Sequence, residues 1–193
     1  MRSILIDWIV DVHLKYKLLP ETLFITVSMI DKYLQKTSVS RSKLQLVGVT
    51  CLLIASKYEE IYPPTLQEFV HITDNTYCKS DILDMEFHLL HSLSFDLTFP
   101  TPYRFLERFA GLLAVDESVL YYAQFLIEQS LIDINIIEYQ PSQMAAAALL
   151  IAKKVQNIVE AKTTKKEEES MKKMCKDLGF KPEELSKCYK TIK

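Results

Sequence analysis

The sequence predicts an all-α protein built as two tandem five-helix modules. Two stretches carry that prediction. Leu44 to Ala55 is apolar on nearly every side, interrupted only by Gln45, Gly48 and Thr50, and Ser142 to Val155 contains MAAAALLIA. A helix that is hydrophobic all round is a buried helix. At about a dozen residues each, both fall well short of the roughly 20 that a membrane span needs. The third observation is negative: no stretch sustains the two-residue alternation of a half-buried strand. Each rod is the third helix of its half, so the halves read as similar modules, although they share little residue-level identity.

In chain order, Met1–Leu18 has helical periodicity, and Pro20 is well placed to start a helix over Glu21–Lys36. The first rod, Arg41–Tyr58, delivers Lys57, Glu59 and Glu60 to its end and stops before Pro63-Pro64. Proline cannot continue a helix and biases the residue before it away from one. A short helix is expected over Thr65–His71 and a longer one over Lys79–Leu93. The run Phe95–Pro102 (FDLTFPTP) breaks the pattern with two prolines, which sets the domain division at residues 1–97 and 98–193. The second module is expected to hold helices at Tyr103–Ala114, Glu117–Ile137 and, after Pro141, Ser142–Val155. Beyond Ile158 the chain is dense in charge, and its bland reading is a solvated helix face. An amphipathic helix is expected over Lys165–Lys176 with Met171, Met174, Cys175 and Leu178 inward, followed by a stop at Gly179 and a new start at Pro182. On this reading the second module ends early.

Composition excludes several classes. Lys and Arg number 23 against 25 Asp and Glu, a net charge of -2, so nothing favours nucleic acid or an anionic membrane as a partner. The only glycines, Gly48, Gly111 and Gly179, cannot spell a phosphate-binding loop. Cys51, Cys78, Cys175 and Cys188 form no CxxC pair, as in a protein with reduced thiols, so nucleus and cytoplasm are the expected location. The opening MRSILIDW carries Asp7 inside its apolar run and is not a secretory signal. His88 and His91 lack the HExxH spacing of a zinc pair, Asp81, Asp84 and Glu86 read as a solvated face, and no GxSxG is present. No catalytic residue, cofactor or metal is expected.

The first helix carries surplus apolar surface. Met1, Leu5, Trp8, Ile9 and Val12 form one stripe, widened by Ile4 on one side and by Ile6 and Val10 on the other. Together they cover roughly two-thirds of the circumference, where burying one face needs only about 100°. Either the helix is sandwiched on two sides, or a strip is kept for a partner. Arg2 falls inside the apolar arc, and a buried guanidinium must be paired. Asp31, among Met29, Ile30 and Tyr33, is a reasonable partner; an exposed first-turn arginine is the other reading.

MRSILIDWIVDVH, LLPETLFITVSMIDKYLQ, KLQLVGVTCLLIASKYEEIYPP, ITDNTY and MEFHLLHSLSFDL closely resemble the cyclin box of mitotic cyclins, and ASKYEE with TDNTY and PSQMAAAA looks most like the B-type. The resemblance implies two tandem cyclin folds and a regulatory subunit that binds and activates a cyclin-dependent Ser/Thr kinase at G2/M, with no catalysis of its own. It implies Lys57 and Glu86 as the polar kinase-binding residues and Ile54, Tyr58, Leu90, Phe95 and Leu97 as apolar ones. Glu59, Glu60 and Ile61 fall where the family approaches the kinase activation segment. The family's buried ion pair matches Arg2 and Asp31. Its MRAIL docking patch for Arg-x-Leu substrates or inhibitors reads Met1-Arg2-Ser3-Ile4-Leu5 here, with Ser for Ala. Met1, Ile4, Leu5 and Trp8 would take the ligand's Leu, Gln45 would bond its backbone, and Asp11 would attract its Arg.

The competing reading is a cyclin-fold transcription protein, either a transcriptional cyclin or a TFIIB-like adaptor. A TFIIB-like module needs a basic DNA-facing surface, against which the net charge of -2 argues. MRSIL and KYEEIYPP favour the cell-cycle type.

Overall fold

The computed structural model describes residues 1–159 and 175–192. The described residues contain no strand. They fall into two compact units, Met1–Phe99 and Pro100–Lys193.

The first unit comprises α1 (Arg2–Tyr16), α2 (Pro20–Lys36), α3 (Leu44–Glu59), α4 (Leu66–Ile72) and α5 (Lys79–Ser92), with a short 3₁₀ turn at Arg41–Lys43 leading into α3. Pro20 occupies the first turn of α2 after an extended Leu19. Thr65 and Glu68 form a reciprocal capping box that starts α4, and Cys78 with Asp81 does the same for α5. Such pairs satisfy amide donors that have no partner inside the helix. α1 closes on Lys17 in the left-handed region, φ 52°.

The core is α3. Every residue from Leu46 to Ser56 is buried, with α2, α5, α1 and α4 packed around it. Its two buried hydroxyls bond within the helix, Thr50 to the Leu46 carbonyl at 2.7 Å and Ser56 to the Leu53 carbonyl at 2.9 Å, so neither leaves an unmet polar group in the core. Gly48 explains how α1 comes so close: a Cβ there would meet Leu5 Cδ1 at 2.7 Å.

The second unit comprises α6 (Pro102–Leu113), α7 (Glu117–Ser130), a 3₁₀ turn at Ile134–Glu138, α8 (Pro141–Val159), a helical turn at residues 175–178 and α9 (Pro182–Ile192). Its core is α8, buried from Met144 to Ala152 and packed by α7, α9 and α6. The helix predicted over Glu117–Ile137 ends at Ser130, and the remainder turns through 3₁₀ geometry. Side chains compete with the helical ladder there. The Ser130 hydroxyl bonds back to the Ile127 carbonyl at 2.7 Å, and the Asp133 carboxylate takes the Asn135 amide at 2.9 Å. Short polar side chains of this kind favour turns over helix interiors. α8 also runs on past its predicted end, to Val159. Gly179 adopts φ 75°, and the Phe180 amide reaches back to the Cys175 carbonyl at 2.9 Å, a glycine stop. Of the helix predicted over Lys165–Lys176, residues 165–174, with Met171 and Met174, lie outside the described residues; Cys175 is buried and Leu178 half-buried.

Candidate functional site

Two elements of the first unit converge on an ion pair. α3 runs out of apolar residues at Lys57, whose Nζ donates to both carboxylate oxygens of Glu86 on α5, at 2.7 and 2.9 Å. Lys57 remains about half exposed while Glu86 is mostly covered. At such exposure the pair contributes little to folding, about 0–1 kcal/mol. Its interest is that it presents a fixed acid and a fixed base side by side at the surface.

The apolar residues that the resemblance groups with the pair differ in exposure. Tyr58 is exposed, Leu90 and Leu97 are half-buried, and Phe95 stands 65% exposed. Ile54, named with them from the sequence, is a core residue at 3% exposure and presents no surface. Its position on α3 faces the packed side, which the resemblance alone does not reveal.

The backbone holds Phe95 outward by a costly conformation. Ser94 and Phe95 both lie in the left-handed region, φ 54° and 57°, a region disfavoured for residues with a Cβ by roughly 1–2 kcal/mol each. The Phe95 amide donates to the Leu90 carbonyl at 2.9 Å, closing α5. Two lysines of α2 pin the segment. Lys32 Nζ lies 2.8 Å from Asp96 Oδ2 and 4.7 Å from the Phe99 ring centroid, and Lys36 Nζ donates to the Ser92 carbonyl at 3.1 Å. The Lys32 hydrogen bond and charge hold the Asp96 carboxyl below its usual range.

Sequence reasoning missed Leu83 and Phe87. Both are exposed on α5, Phe87 directly after Glu86 and stacked on His91 at 5.8 Å and 11°. The signal was present: they form an i, i+4 apolar pair offset by one residue from the core-facing Ile82.

The segment after α3 divides its roles. Glu59 is half-buried; Glu60 turns inward, its Oε1 accepting the Leu19 amide at 2.7 Å and the Thr22 hydroxyl at 2.6 Å. Ile61 and Tyr62 then stand 85% and 92% exposed.

A second surface lies on α1. Leu5, Ile6, Ile9 and Val12 are buried, Trp8 and Val10 half-buried, and Met1 and Ile4 exposed. Most of the wide apolar arc therefore packs inward, as the first explanation has it, and only Met1 and Ile4 at its N-terminal end stay exposed. Leu5 forms a floor against Gly48 of α3. Gln45, half-buried, sits one turn before Gly48, and Asp11 is exposed about two turns along α1 from Ile4. Arg2 is fixed beneath the open end: Nε donates to Asp31 Oδ1 at 2.7 Å and Nη2 to Oδ2 at 2.9 Å, in a bidentate pair that is mostly covered.

Among the described residues no cluster of His, Cys, Asp or Glu could hold a metal ion, and no described helix is long and apolar enough to cross a membrane.

Residues 1–98 match the family model described as "Cyclin, N-terminal domain", and residues 100–193 the one described as "Cyclin, C-terminal domain". The chain is 49% identical over 157 residues to G2/mitotic-specific cyclin-B2 of Bos taurus, covering 80% of this chain and 39% of the relative. It is also 49% identical over 155 residues to G2/mitotic-specific cyclin-B of Marthasterias glacialis, covering 80% and 40% respectively. The chain thus spans about two-fifths of the length of these relatives. In fold it is similar to a viral cyclin from herpesvirus saimiri, with TM-score 0.86 and 22% identity over 99% of this chain and 82% of that one. It is also similar to a chain of the yeast RNA Pol II CTD kinase CTDK-1 complex, with TM-score 0.76 and 16% identity over 99% and 63%.

Proposed function

The chain belongs to the cyclin family, and on that premise we propose that it binds and activates a cyclin-dependent Ser/Thr kinase of the mitotic type. The observation that carries this reading is the Lys57–Glu86 pair, presented at the surface where α3 meets α5, with exposed Tyr58 next to Lys57 in the chain and exposed Phe95 just beyond the end of α5. A kinase docking there exchanges the intramolecular bonds of the pair for bonds to its own backbone, while Tyr58, Phe95, Leu90 and Leu97 bury apolar surface. The mechanism is positional. A rigid helical face pressed beside the kinase C-helix moves that helix's Glu into its pair with the ATP-positioning Lys, and the neighbouring activation segment opens. On this reading the segment Glu59, Glu60 and Ile61, at the exit of α3, approaches the activation segment.

The open end of α1 is the proposed substrate dock. Met1, Ile4 and Trp8 offer an apolar rim over the Leu5 floor for the Leu of an Arg-x-Leu ligand, Gln45 a hydrogen bond to its backbone, and Asp11 a charge for its Arg. The test of activation is a titration of this chain into a monomeric mitotic kinase, reading binding and phosphorylation of a basic Ser-Pro peptide. Saturable binding with a large rise in rate is expected. A folded, helical chain that does not bind overturns the reading.

A further inference from the structure

Two hydrogen bonds converge on a single oxygen of Glu60. The Leu19 amide and the Thr22 hydroxyl both donate to Oε1, at 2.7 and 2.6 Å, while the Leu19 carbonyl accepts from His13 Nε2 at 3.1 Å. Leu19 is the capping residue just before α2, so its surroundings include amide donors with no helical partner. Glu60 therefore ties the exit of α3 to the entrance of α2.

Beyond Glu60 the chain makes a short loop held at both ends. Glu60 is the extended residue that ends α3, at φ −83° and ψ 141°. Pro63 and Pro64 stiffen the far side. Thr65 is in turn fixed by Glu68, whose Oε2 takes the Thr65 amide at 2.6 Å. Between the anchors stand Ile61 and Tyr62, nearly fully exposed. Large apolar side chains held out on an anchored loop are preordered, and preorder lowers the entropy lost on binding.

We propose that Glu60 is a positioning residue, which holds Ile61 and Tyr62 out as a docking edge for the kinase and does not meet the kinase with its own charge. This rests on the kinase-binding role proposed for the chain. Oε1 is held by the Leu19 amide and the buried Thr22 hydroxyl, which turns the carboxylate back onto the entrance of α2. A glutamine keeps an oxygen acceptor and removes the charge.

The experiment measures the kinase Kd and the melting temperature of the full chain for Glu60→Gln, Glu60→Ala, Thr22→Val, Ile61→Ala and the Glu60→Ala/Ile61→Ala double variant, with Lys57→Ala as gauge. Glu60→Gln is expected within about twofold of wild type, and Glu60→Ala and Ile61→Ala each about tenfold weaker. The double variant is expected to be no weaker than the weaker single one, since an unanchored loop has already lost what Ile61 offers. Thr22 is fully buried and beyond the reach of a partner, and Thr22→Val, which removes one of the two bonds, is expected to weaken binding about threefold. That variant keeps the test open should Glu60→Ala fail to fold. Glu60→Gln as weak as Glu60→Ala, fully additive losses in the double variant, or unchanged binding by Thr22→Val would each overturn the proposal. No detectable kinase binding by the folded wild-type chain would instead sink the kinase reading itself, whatever Glu60 does, and Lys57→Ala binding like wild type would move the kinase away from the Lys57–Glu86 pair.

Discussion

Lys57 and Glu86 are each other's partners in the free chain, the ammonium reaching both carboxylate oxygens at 2.7 and 2.9 Å across 29 residues of sequence. The pair is therefore preset in orientation before any partner arrives. Lys57→Ala and Glu86→Ala are each expected to weaken kinase binding by about 2–5 kcal/mol, the cost of leaving one member of a desolvated polar cluster unpaired. Circular dichroism should show unchanged helical content, since Lys57 is too exposed for its loss to unfold the unit. Wild-type affinity in both variants would show that the kinase binds elsewhere.

Arg2→Ala is expected to act on folding. It leaves Asp31 mostly covered and without its bidentate partner, and breaking such a pair from one side costs about 3–5 kcal/mol when burial is complete. A drop in melting temperature of many degrees is expected, with part of the loss recovered in Arg2→Met/Asp31→Leu, where no charge remains to be paired. An unchanged melting temperature for Arg2→Ala would refute a structural role for the pair.

Trp8→Ala should divide substrates. Phosphorylation of Arg-x-Leu substrates is expected to fall, while a short peptide lacking that motif is phosphorylated at the wild-type rate. Equal loss on both substrates would assign half-buried Trp8 to the packing of α1 instead.

Gly48→Val tests the floor of the same surface. The new side chain meets Leu5 Cδ1, Cγ and Cδ2, at 2.7, 3.3 and 3.4 Å for its Cβ alone. Overpacking of this kind typically costs about 1–3 kcal/mol. Thermal unfolding is expected to shift downward, and affinity for an Arg-x-Leu peptide to fall as Leu5 is pushed outward. A variant as stable as wild type would mean that α1 moves off α3 freely.

Acid should loosen the first unit. Hydrogen bonds from the Cys78 thiol and amide hold the Asp81 carboxyl below its usual range, the Thr65 amide and hydroxyl do so for Glu68, and Lys32 for Asp96. A carboxyl whose pKa is lower folded than unfolded adds stability above its unfolded value, and that stability disappears as pH falls through the folded one. The melting temperature is therefore expected to be flat from neutral pH to about 5 and to fall below about 4. Asp81→Asn should reduce the fall; an identical acid profile in that variant would remove the α5 cap from the explanation.

Much of the fold and of the candidate site is legible in the residues because the chemistry is local. Pro20 starts α2, Pro63 and Pro64 come after the end of α3, Gly179 stops a helix, and the two all-apolar rods are the two cores. Arg2 and Asp31 can be paired because each stands out as a charge among apolar neighbours. The features that escape a sequence reading depend on distant partners or on backbone strain. Nothing around Glu60 says that it faces a helix entrance 41 residues away. No glycine announces the left-handed pair at Ser94 and Phe95. The end of α7 carries neither proline nor glycine, so a turn made by Ser130 and Asp133 looks in sequence like continuing helix.

The alanine run of α8 has a consequence for sequence freedom. Ala145, Ala146, Ala147 and Ala148 are consecutive and wholly inaccessible, so neighbours crowd all sides of the helix at once. Any larger side chain adds volume where interiors are already close-packed. An ordinary amphipathic helix shows intolerance to substitution every three or four residues, with permissive positions between. Here a saturation scan should return an unbroken block of intolerance, a fingerprint of encirclement readable from variant frequencies with no coordinates at all.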